Sequence, residues 1–380
     1  MLTAWKRRAL VWGLPAVVLA CTATPGPLPY PAALRARVEP AKLIFLKGPS
    51  DSGDVLSDRT QSVLRHIDYI ESLPFDGMVV DVPGGMQLME GKPLDYQLHF
   101  AGFLDPLRTG FRRFEHNFVR VQNNDPGDLF DDEAWSITVE NWRMLARAAR
   151  QAGFAGIFFD DEEYRDPWLN YPEDYGRPSR PLKAYAAQAE LRGRQIMTAV
   201  ADEFPEIRVV FTHGPYIAEQ KTPRSVTRRQ VNDASHYELL GPFFAGFVAA
   251  TGEQARIVDG GEVYQYRSLD DFAQSYVWRK HGIADPRTNC QFIRDSLRTA
   301  WAQRVSIAFG IFNRSWPDTV ADAMSPEILP ATLASAMVVA DEYVWFYAER
   351  EEWLLPGGVP RAWIDAVAAG RAAAHAQPAR

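Results

Sequence analysis

Short apolar runs alternate with longer helical patterns along almost the whole chain after residue 40. This alternation is typical of a parallel sheet whose strands are connected by crossover helices. Eight such units repeat, which favours a single closed (β/α)8 (TIM) barrel, because a doubly wound sheet more often ends at about five or six strands. The predicted strands are residues 41–48, 75–82, 114–122, 155–159, 207–213, 255–259, 305–312 and 343–349.

Helical patterns occupy most of the segments between these runs. They predict helices at residues 58–72, 132–153, 181–203, 233–251 and 360–374. The segment 83–113 is polar and aromatic and fits neither pattern. We therefore predict one barrel domain over residues 41–375, in which the segment 83–113 is an insertion between two units.

The first 21 residues have the order of an export signal. A basic head at residues 6–8 precedes an apolar middle at 9–19 and a small residue before Cys21. Residues 18–21 (VLAC) resemble a bacterial lipobox, which implies cleavage before Cys21 and attachment of lipid to that cysteine. The alternative is an ordinary signal peptide that contains an incidental cysteine.

These features divide the N-terminal segment into a lipoprotein signal peptide at residues 1–20 and a flexible tether at 21–40. We expect an exported, membrane-anchored lipoprotein of the bacterial cell envelope. Loss of the signal peptide changes the formal charge from −7 to −10, and an acidic chain argues against nucleic acid as a partner. No later stretch is long and apolar enough for a transmembrane helix. The sequence leaves the oligomeric state open.

The fourth predicted strand ends in four consecutive carboxylates. Its apolar run, residues 155–159, is typical of a strand that is covered on both faces. Side chains alternate along a strand, so Asp160 and Glu162 share one face, and Asp161 and Glu163 share the other. A solvated loop of acids would explain the pattern simply. The more specific interpretation is an acid/base or metal site.

Polar residues capable of chemistry follow the predicted strands and do not precede them. In a (β/α)8 barrel the carboxyl ends of the strands meet at one mouth, which is where active sites lie. The sequence places there Asp81, Asn123, Asn124, Asp160, Glu162, His213, Asp259, Glu262, Asn313, Arg314 and Glu349.

Aromatic residues are concentrated at the same predicted mouth. They are Tyr164, Trp168, Tyr171, Tyr216, Tyr264, Tyr266 and Trp316. Acids, amides and flat aromatic faces together suit a sugar, whose hydroxyls need polar partners while its ring faces stack on aromatic side chains. The alternative is that these aromatic residues are part of the core, where such residues are common.

Three segments carry a resemblance to a known group. Residues 141–164, 256–266 and 341–349 are similar to segments of uncharacterised bacterial exported lipoproteins with a glycoside-hydrolase-like (β/α)8 barrel. The resemblance covers residues 41–374 and implies a barrel with a carbohydrate pocket. The chain departs from two better-known glycosidase patterns, because the seventh predicted strand ends without a carboxylate and the chitinase-like DxxDxDxE motif is absent.

Glycoside hydrolysis needs one carboxylic acid to protonate the leaving oxygen and a second carboxylate that attacks or activates water. The candidates for this catalytic pair are Asp160, Glu162, Asp259, Glu262 and Glu349. We assign the acid to Glu162, because a glutamate crowded by Asp160 and near aromatic rings is expected to have a raised pKa. Glu262 or Asp259 is the expected partner. Substrate-binding candidates are Asp81, Tyr164, Trp168, His213, Tyr264, Asn313 and Trp316.

Two alternatives remain open at this stage. A metal-dependent hydrolase would use the same acids with His213 as ligands, although no HxH or HExxH spacing is present. A non-catalytic glycan-binding lipoprotein could use the same scaffold, because a fold does not fix a function. The preferred hypothesis is a glycosidase that needs neither a cofactor nor a metal and binds a poly- or oligosaccharide.

Overall fold

A computed structural model of the protein describes residues 39–48, 56–162, 168–171, 179–215, 237–285, 293–313, 324–349 and 351–376. The predictions for the signal peptide, for Cys21 and for almost all of the tether lie outside these residues. So do the predicted substrate-binding residues Tyr164 and Trp316.

Parallel strands form one sheet that closes on itself. The strands are β1 Lys42–Lys47, β2 Gly77–Val80, β3 Phe118–Gln122, β4 Gly156–Asp160, β5 Arg208–Phe211, β6 Arg256–Asp259, β7 Val305–Ile307, β8 Phe309–Phe312 and β9 Tyr343–Ala348. Neighbouring strands pair in parallel in the order β7-β6-β5-β4-β3-β2-β1-β9-β8. The predicted (β/α)8 barrel is confirmed.

Closure depends on the seventh predicted strand, which is divided into β7 and β8 at Ala308. β7 pairs with β6, and β8 pairs with β9, so the two halves of one strand join the two ends of the sheet. At the break, the carbonyl of Ala308 accepts a hydrogen bond from Arg279, and its N–H donates to the carbonyl of Asp259. The backbone at Ala308 therefore connects the two ends of the sheet.

Helices surround the sheet. They are α1 Leu56–Arg65, α2 Ile67–Ser72, α3 Gly102–Gly110, α4 Asp132–Gln151, α5 Leu182–Glu203, α6 Leu240–Ala250, α7 Leu269–Tyr276, α8 Arg298–Arg304, α9 Leu329–Val339 and α10 Arg361–Ala376. Short 3-10 turns occur at Pro83–Met86 and Asp295–Leu297, and π-helical turns at Gln97–Ala101 and Val277–Gly282. No helix in the described ranges is both long and apolar enough to cross a bilayer.

Side-chain alternation along the strands separates two cores. One fills the barrel lumen and contains Ile44, Leu46, Val79, Phe118, Phe158, Val210, Val258, Ala308, Tyr343 and Trp345. The other lies between sheet and helices, where Phe159 packs on Trp142 of α4 with ring centroids 5.6 Å apart. Because Phe158 faces the lumen, Asp160 and Glu162 continue on the lumen side at the carboxyl end of β4.

Candidate active site

An arginine in the lumen holds Asp160. Nη2 of Arg120, on β3, donates a hydrogen bond to Oδ2 of Asp160, and Nη1 lies 3.9 Å from Oδ1 of Asp81. The three side chains are largely buried. Asp160 is therefore an ion-paired carboxylate, and Asp81 lies beside the same cation.

Three chemically capable side chains converge next to this ion pair. Glu162 follows β4, His213 follows β5 and Glu262 follows β6. Because these strands are neighbours in parallel register, the residues after them meet at one point of the mouth. One carboxylate oxygen of each glutamate and one ring nitrogen of the histidine all lie within 4.8 Å of one another.

Asp161 fixes the orientation of His213. Its carboxylate is fully buried, and Oδ1 accepts hydrogen bonds from the backbone N–H of His213 at 3.1 Å and from Nδ1 at 2.9 Å. This turns Nε2 toward Glu262, with 3.4 Å between Nε2 and Oε2. Burial opposes the imidazolium form, but Asp161 and then Glu262 and Glu162 favour it, so the pKa of His213 is raised to about 10.

Glu262 lies in an environment that favours its neutral form. Oε1 accepts a hydrogen bond from the Tyr264 hydroxyl at 2.6 Å. Oε2 is buried and has no hydrogen-bond partner among the described residues. Burial and the charge of Glu162 raise the pKa of Glu262 well above its ordinary value, against the opposing effects of His213 and Tyr264. The structure thus shows a raised pKa at Glu262, while the raised pKa expected at Glu162 stays a prediction.

Glu162 and Glu262 line a small cavity at the carboxyl end of the lumen. It measures about 20 Å³ and is lined by Leu46, Arg120, Phe158, Asp160, Glu162, Thr212, Glu262, Tyr264, Trp345 and Tyr347. That volume accommodates about one water molecule. The described part of the site thus has space for a small reacting group between Glu162 and Glu262.

Aromatic rings form the wall of this cavity. Trp345 packs edge-on against Phe158 at 5.5 Å and donates from Nε1 to the carbonyl of Gly260 at 2.8 Å. The rings of Tyr264 and Tyr347 are nearly parallel, at an interplanar angle of 8° and a centroid distance of 6.2 Å. The site therefore places flat apolar faces beside its carboxylates.

The sequence analysis did not select Arg120, Trp345 or Tyr347. Strand alternation could have identified them, because Arg120 has the same parity as the lumen residue Phe118. In the same way Trp345 and Tyr347 have the parity of Tyr343. By contrast, the contact of Asp161 with His213 joins positions 52 residues apart and has no local signal.

Asp259 lies away from the mouth, although the sequence analysis offered it as a catalytic partner. Its Oδ2 accepts from Nε of Arg279 at 2.9 Å, and its Oδ1 accepts from Nη2 at 2.5 Å. Both side chains are buried, and Arg279 belongs to the π-helical turn after α7. The preceding residue, Val258, faces the lumen. Because side chains alternate along a strand, Asp259 points to the helix layer, where it forms a structural ion pair.

Five other predicted site residues do not line the cavity. Asp81 lies beside Arg120 and His213 beside Glu262, and the other three are Trp168, Asn313 and Glu349. Trp168 is buried against Trp135 and Phe243, and its Nε1 donates to Asn123 at 2.6 Å. It is therefore a core residue, as the alternative interpretation of the aromatic residues holds. The amide of Asn313 is buried and donates to Glu351 at 2.5 Å, and Glu349 accepts from the Tyr347 hydroxyl at 2.8 Å.

No protein-family model matches the chain, and no curated protein sequence matches it. Solved structures do. A GH5_18 protein from Streptomyces cattleya in complex with GlcNAc is 14% identical, with 88% of this chain and 79% of that chain covered and a TM-score of 0.48. A GH18 chitinase from Chromobacterium violaceum is 13% identical, with coverages of 87% and 83% and a TM-score of 0.44.

A third similar structure is a 3-keto-D-glucoside 4-epimerase from E. coli, in its apo form. It is 12% identical, with 87% of this chain and 98% of that chain covered and a TM-score of 0.42. At these identities and TM-scores the similarity carries no conclusion about activity. It does not extend to individual site residues.

Proposed function

We propose that the protein hydrolyses glycosidic bonds and that Glu162 and Glu262 are its catalytic pair. The supporting observation is that a carboxylate oxygen of Glu162 lies within 4.8 Å of one of Glu262, beside a cavity. Retaining glycosidases hold their two carboxyl groups about 5–5.5 Å apart, whereas inverting enzymes need about 6.5–9.5 Å. The short separation favours a retaining reaction.

The surroundings of the two glutamates favour different roles. Glu262 is the more enclosed group, between the Tyr264 hydroxyl and His213, and its neutral form can protonate the leaving oxygen. Glu162 then supplies the carboxylate that attacks the anomeric carbon. Arg120 forms an ion pair with Asp160 next to these two glutamates.

The aromatic wall supports a carbohydrate as the substrate class. Tyr264 and Tyr347 present nearly parallel rings beside the carboxylates, and Trp345 packs edge-on against Tyr264. A sugar ring binds through such a combination of polar groups and flat apolar faces.

The test is a screen of the purified chain against aryl glycosides and bacterial polysaccharides. Glu162→Gln and Glu262→Gln keep the shape of each side chain but remove its acid or nucleophilic function. Each should lower kcat by about a hundredfold or more. The matched control is Glu206→Gln, a half-exposed glutamate 3.7 Å from Arg150, which should leave kcat unchanged.

A dinitrophenyl glycoside separates the two roles, because its leaving group departs without protonation. On that substrate Glu262→Gln should form the glycosyl-enzyme almost normally, while Glu162→Gln should not. The proton NMR spectrum of the first product should show the anomer of the substrate. Turnover that is equal in wild type and both variants would refute the pair, and saturable glycan binding without turnover would favour the glycan-binding alternative.

A further inference from the structure

The ends of β4, β5 and β6 bring together a set of atoms that can bind a cation. One ring nitrogen of His213 and one carboxylate oxygen each of Glu162 and Glu262 lie within 4.8 Å of one another. Each of the three residues comes within three positions of the end of a different strand. The parallel register of these neighbouring strands brings the three positions together.

His213 is held in the manner of a metal ligand. More than nine-tenths of the residue is buried, and its Nδ1 donates to the carboxylate of Asp161 at 2.9 Å. Metal-binding histidines almost always give their other ring N–H to such an acceptor, which fixes the tautomer and aims the free nitrogen at the ion. Asp161 thus leaves Nε2 of His213 as the nitrogen directed toward the two glutamates.

The distance between His213 and Glu262 fits two ligands of one ion. Their Nε2 and Oε2 atoms are 3.4 Å apart, longer than a usual N–H···O hydrogen bond. Two ligands with bonds of about 2.0–2.1 Å to a tetrahedral ion are separated by about 3.3–3.4 Å. Oε2 of Glu262 is also buried and has no hydrogen-bond partner within the described structure. This oxygen is therefore directed at the position that an ion would occupy.

We propose that Glu162, His213 and Glu262 bind one divalent transition-metal ion, such as Zn²⁺ or Mn²⁺, through one atom each. Two carboxylates balance the charge of the ion, and an imidazole nitrogen favours transition metals over Mg²⁺ and Ca²⁺, which prefer oxygen ligands. The adjacent cavity of about 20 Å³ has room for a water molecule as a further ligand. When the ion binds, any proton on Nε2 of His213 or on the carboxyl group of Glu262 is released to solvent.

Metal binding at this site is independent of the proposed glycosidase activity, but it affects that activity. An ion bound to Glu162 and Glu262 occupies both members of the catalytic pair. The metal-bound form should therefore not hydrolyse glycosides by carboxylate chemistry. The two proposals are tested separately, because metal binding is measured without a substrate.

Isothermal titration with ZnCl₂, and separately with MnCl₂, tests the site in the full-length chain after treatment with EDTA and dialysis. We expect one ion per chain for at least one of the two metals. Glu262→Gln and His213→Asn should each weaken its binding by about a hundredfold, and Asp161→Asn by about ten- to a hundredfold. The control is His116→Asn, a part-buried histidine at the other end of the barrel whose Nδ1 lies 3.2 Å from the Tyr343 hydroxyl.

Circular dichroism melts establish that each variant is folded, and Glu162→Gln provides a further test if His213→Asn is not. Absence of saturable binding of both metals to the wild-type chain would overturn the site. Binding that all four site variants retain would do the same. If hydrolysis proves to require the bound ion, the site stands and the carboxylate mechanism of the proposed function is wrong.

Discussion

The carboxyl group of Glu262 is positioned by the Tyr264 hydroxyl and lies beside the imidazole of His213. The Tyr264 hydroxyl donates to Oε1 at 2.6 Å, and both side chains lie on the loop directly after β6. The sequence analysis assigned Tyr264 to substrate binding. Its hydroxyl also fixes the rotation of a carboxyl group that lines a cavity of about one water molecule.

Replacement of Tyr264 by phenylalanine removes this hydrogen bond and keeps the ring. A hydrogen bond between neutral groups contributes about 0.5–1.5 kcal/mol, so kcat/KM for glycoside hydrolysis should fall by about two- to tenfold. The measurement is steady-state kinetics on the best aryl glycoside. Tyr343→Phe, in which the altered hydroxyl lies near His116 at the other end of the lumen, should change kcat/KM less than twofold. Equal effects of the two variants would contradict the role of Tyr264.

At the scale of single residues, the sequence predicts which side of a strand a residue faces but not its partner. The alternation from Phe158 to Glu162 correctly places Asp160 and Glu162 toward the lumen. It does not reveal that Arg120 pairs with Asp160, which is 40 positions away. The raised pKa of Glu262 depends on partners from other strands, among them Glu162 and His213, which strand alternation does not reveal.

At the scale of elements, the π-helical turn Val277–Gly282 connects a helix to the sheet through one arginine. Arg279 binds both carboxylate oxygens of Asp259 and the carbonyl of Ala308, where β7 gives way to β8. One buried side chain therefore ties α7 to β6 and to the strand that closes the barrel. This explains the acid at the end of β6 without a catalytic role.

Asp259→Asn should leave the charge of Arg279 buried without its partner. Breaking a buried ion pair costs about 3–5 kcal/mol, so we expect a loss of that size in the free energy of unfolding measured with urea. The kcat of the folded variant should remain within about twofold of wild type. A matched control is Asp365→Asn, whose carboxylate pairs with Arg361 on the exposed face of α10 and should change stability by less than about 1 kcal/mol.

A large loss of kcat in Asp259→Asn, with stability unchanged, would instead return this residue to the catalytic pair. The comparison separates the two roles because unfolding and turnover are measured on the same preparation.

Other differences between predicted and observed elements also have local causes. The predicted helix 58–72 is divided into α1 and α2, because His66 has non-helical angles (φ −121°, ψ 24°). The segment 83–113, which fitted neither pattern, contains a 3-10 turn, a π-helical turn and α3. Short turns of this kind lack the period on which sequence patterns depend.

At the scale of the whole molecule, the barrel could be predicted because its signal repeats. The strands carry runs of buried residues and helices lie between them, so errors of a few residues at the ends of elements do not change the count of units. Closure could not be derived from the same signal. It depends on one strand pairing through β7 with β6 and through β8 with β9.

The N-terminal segment carries the remaining prediction, that the chain is exported and anchored through Cys21. A basic head, an apolar middle and the sequence VLAC occur in the order that lipid modification requires. Mass spectrometry of the membrane fraction should find a mature chain that begins at Cys21 and carries the mass of attached lipid. Cys21→Ser should leave the chain without lipid, because only the thiol at this position can accept it.

The chain provides its own control for this experiment, because Cys290 is its only other cysteine. Cys290→Ser should be cleaved and lipidated like the wild-type chain. One acyl chain alone gives only marginal, reversible membrane binding, so a lipoprotein with several acyl chains should remain with the membrane through a high-salt wash. A chain that is cleaved before residue 21 but lacks lipid would support the ordinary signal peptide, and an uncleaved chain would refute export through this segment.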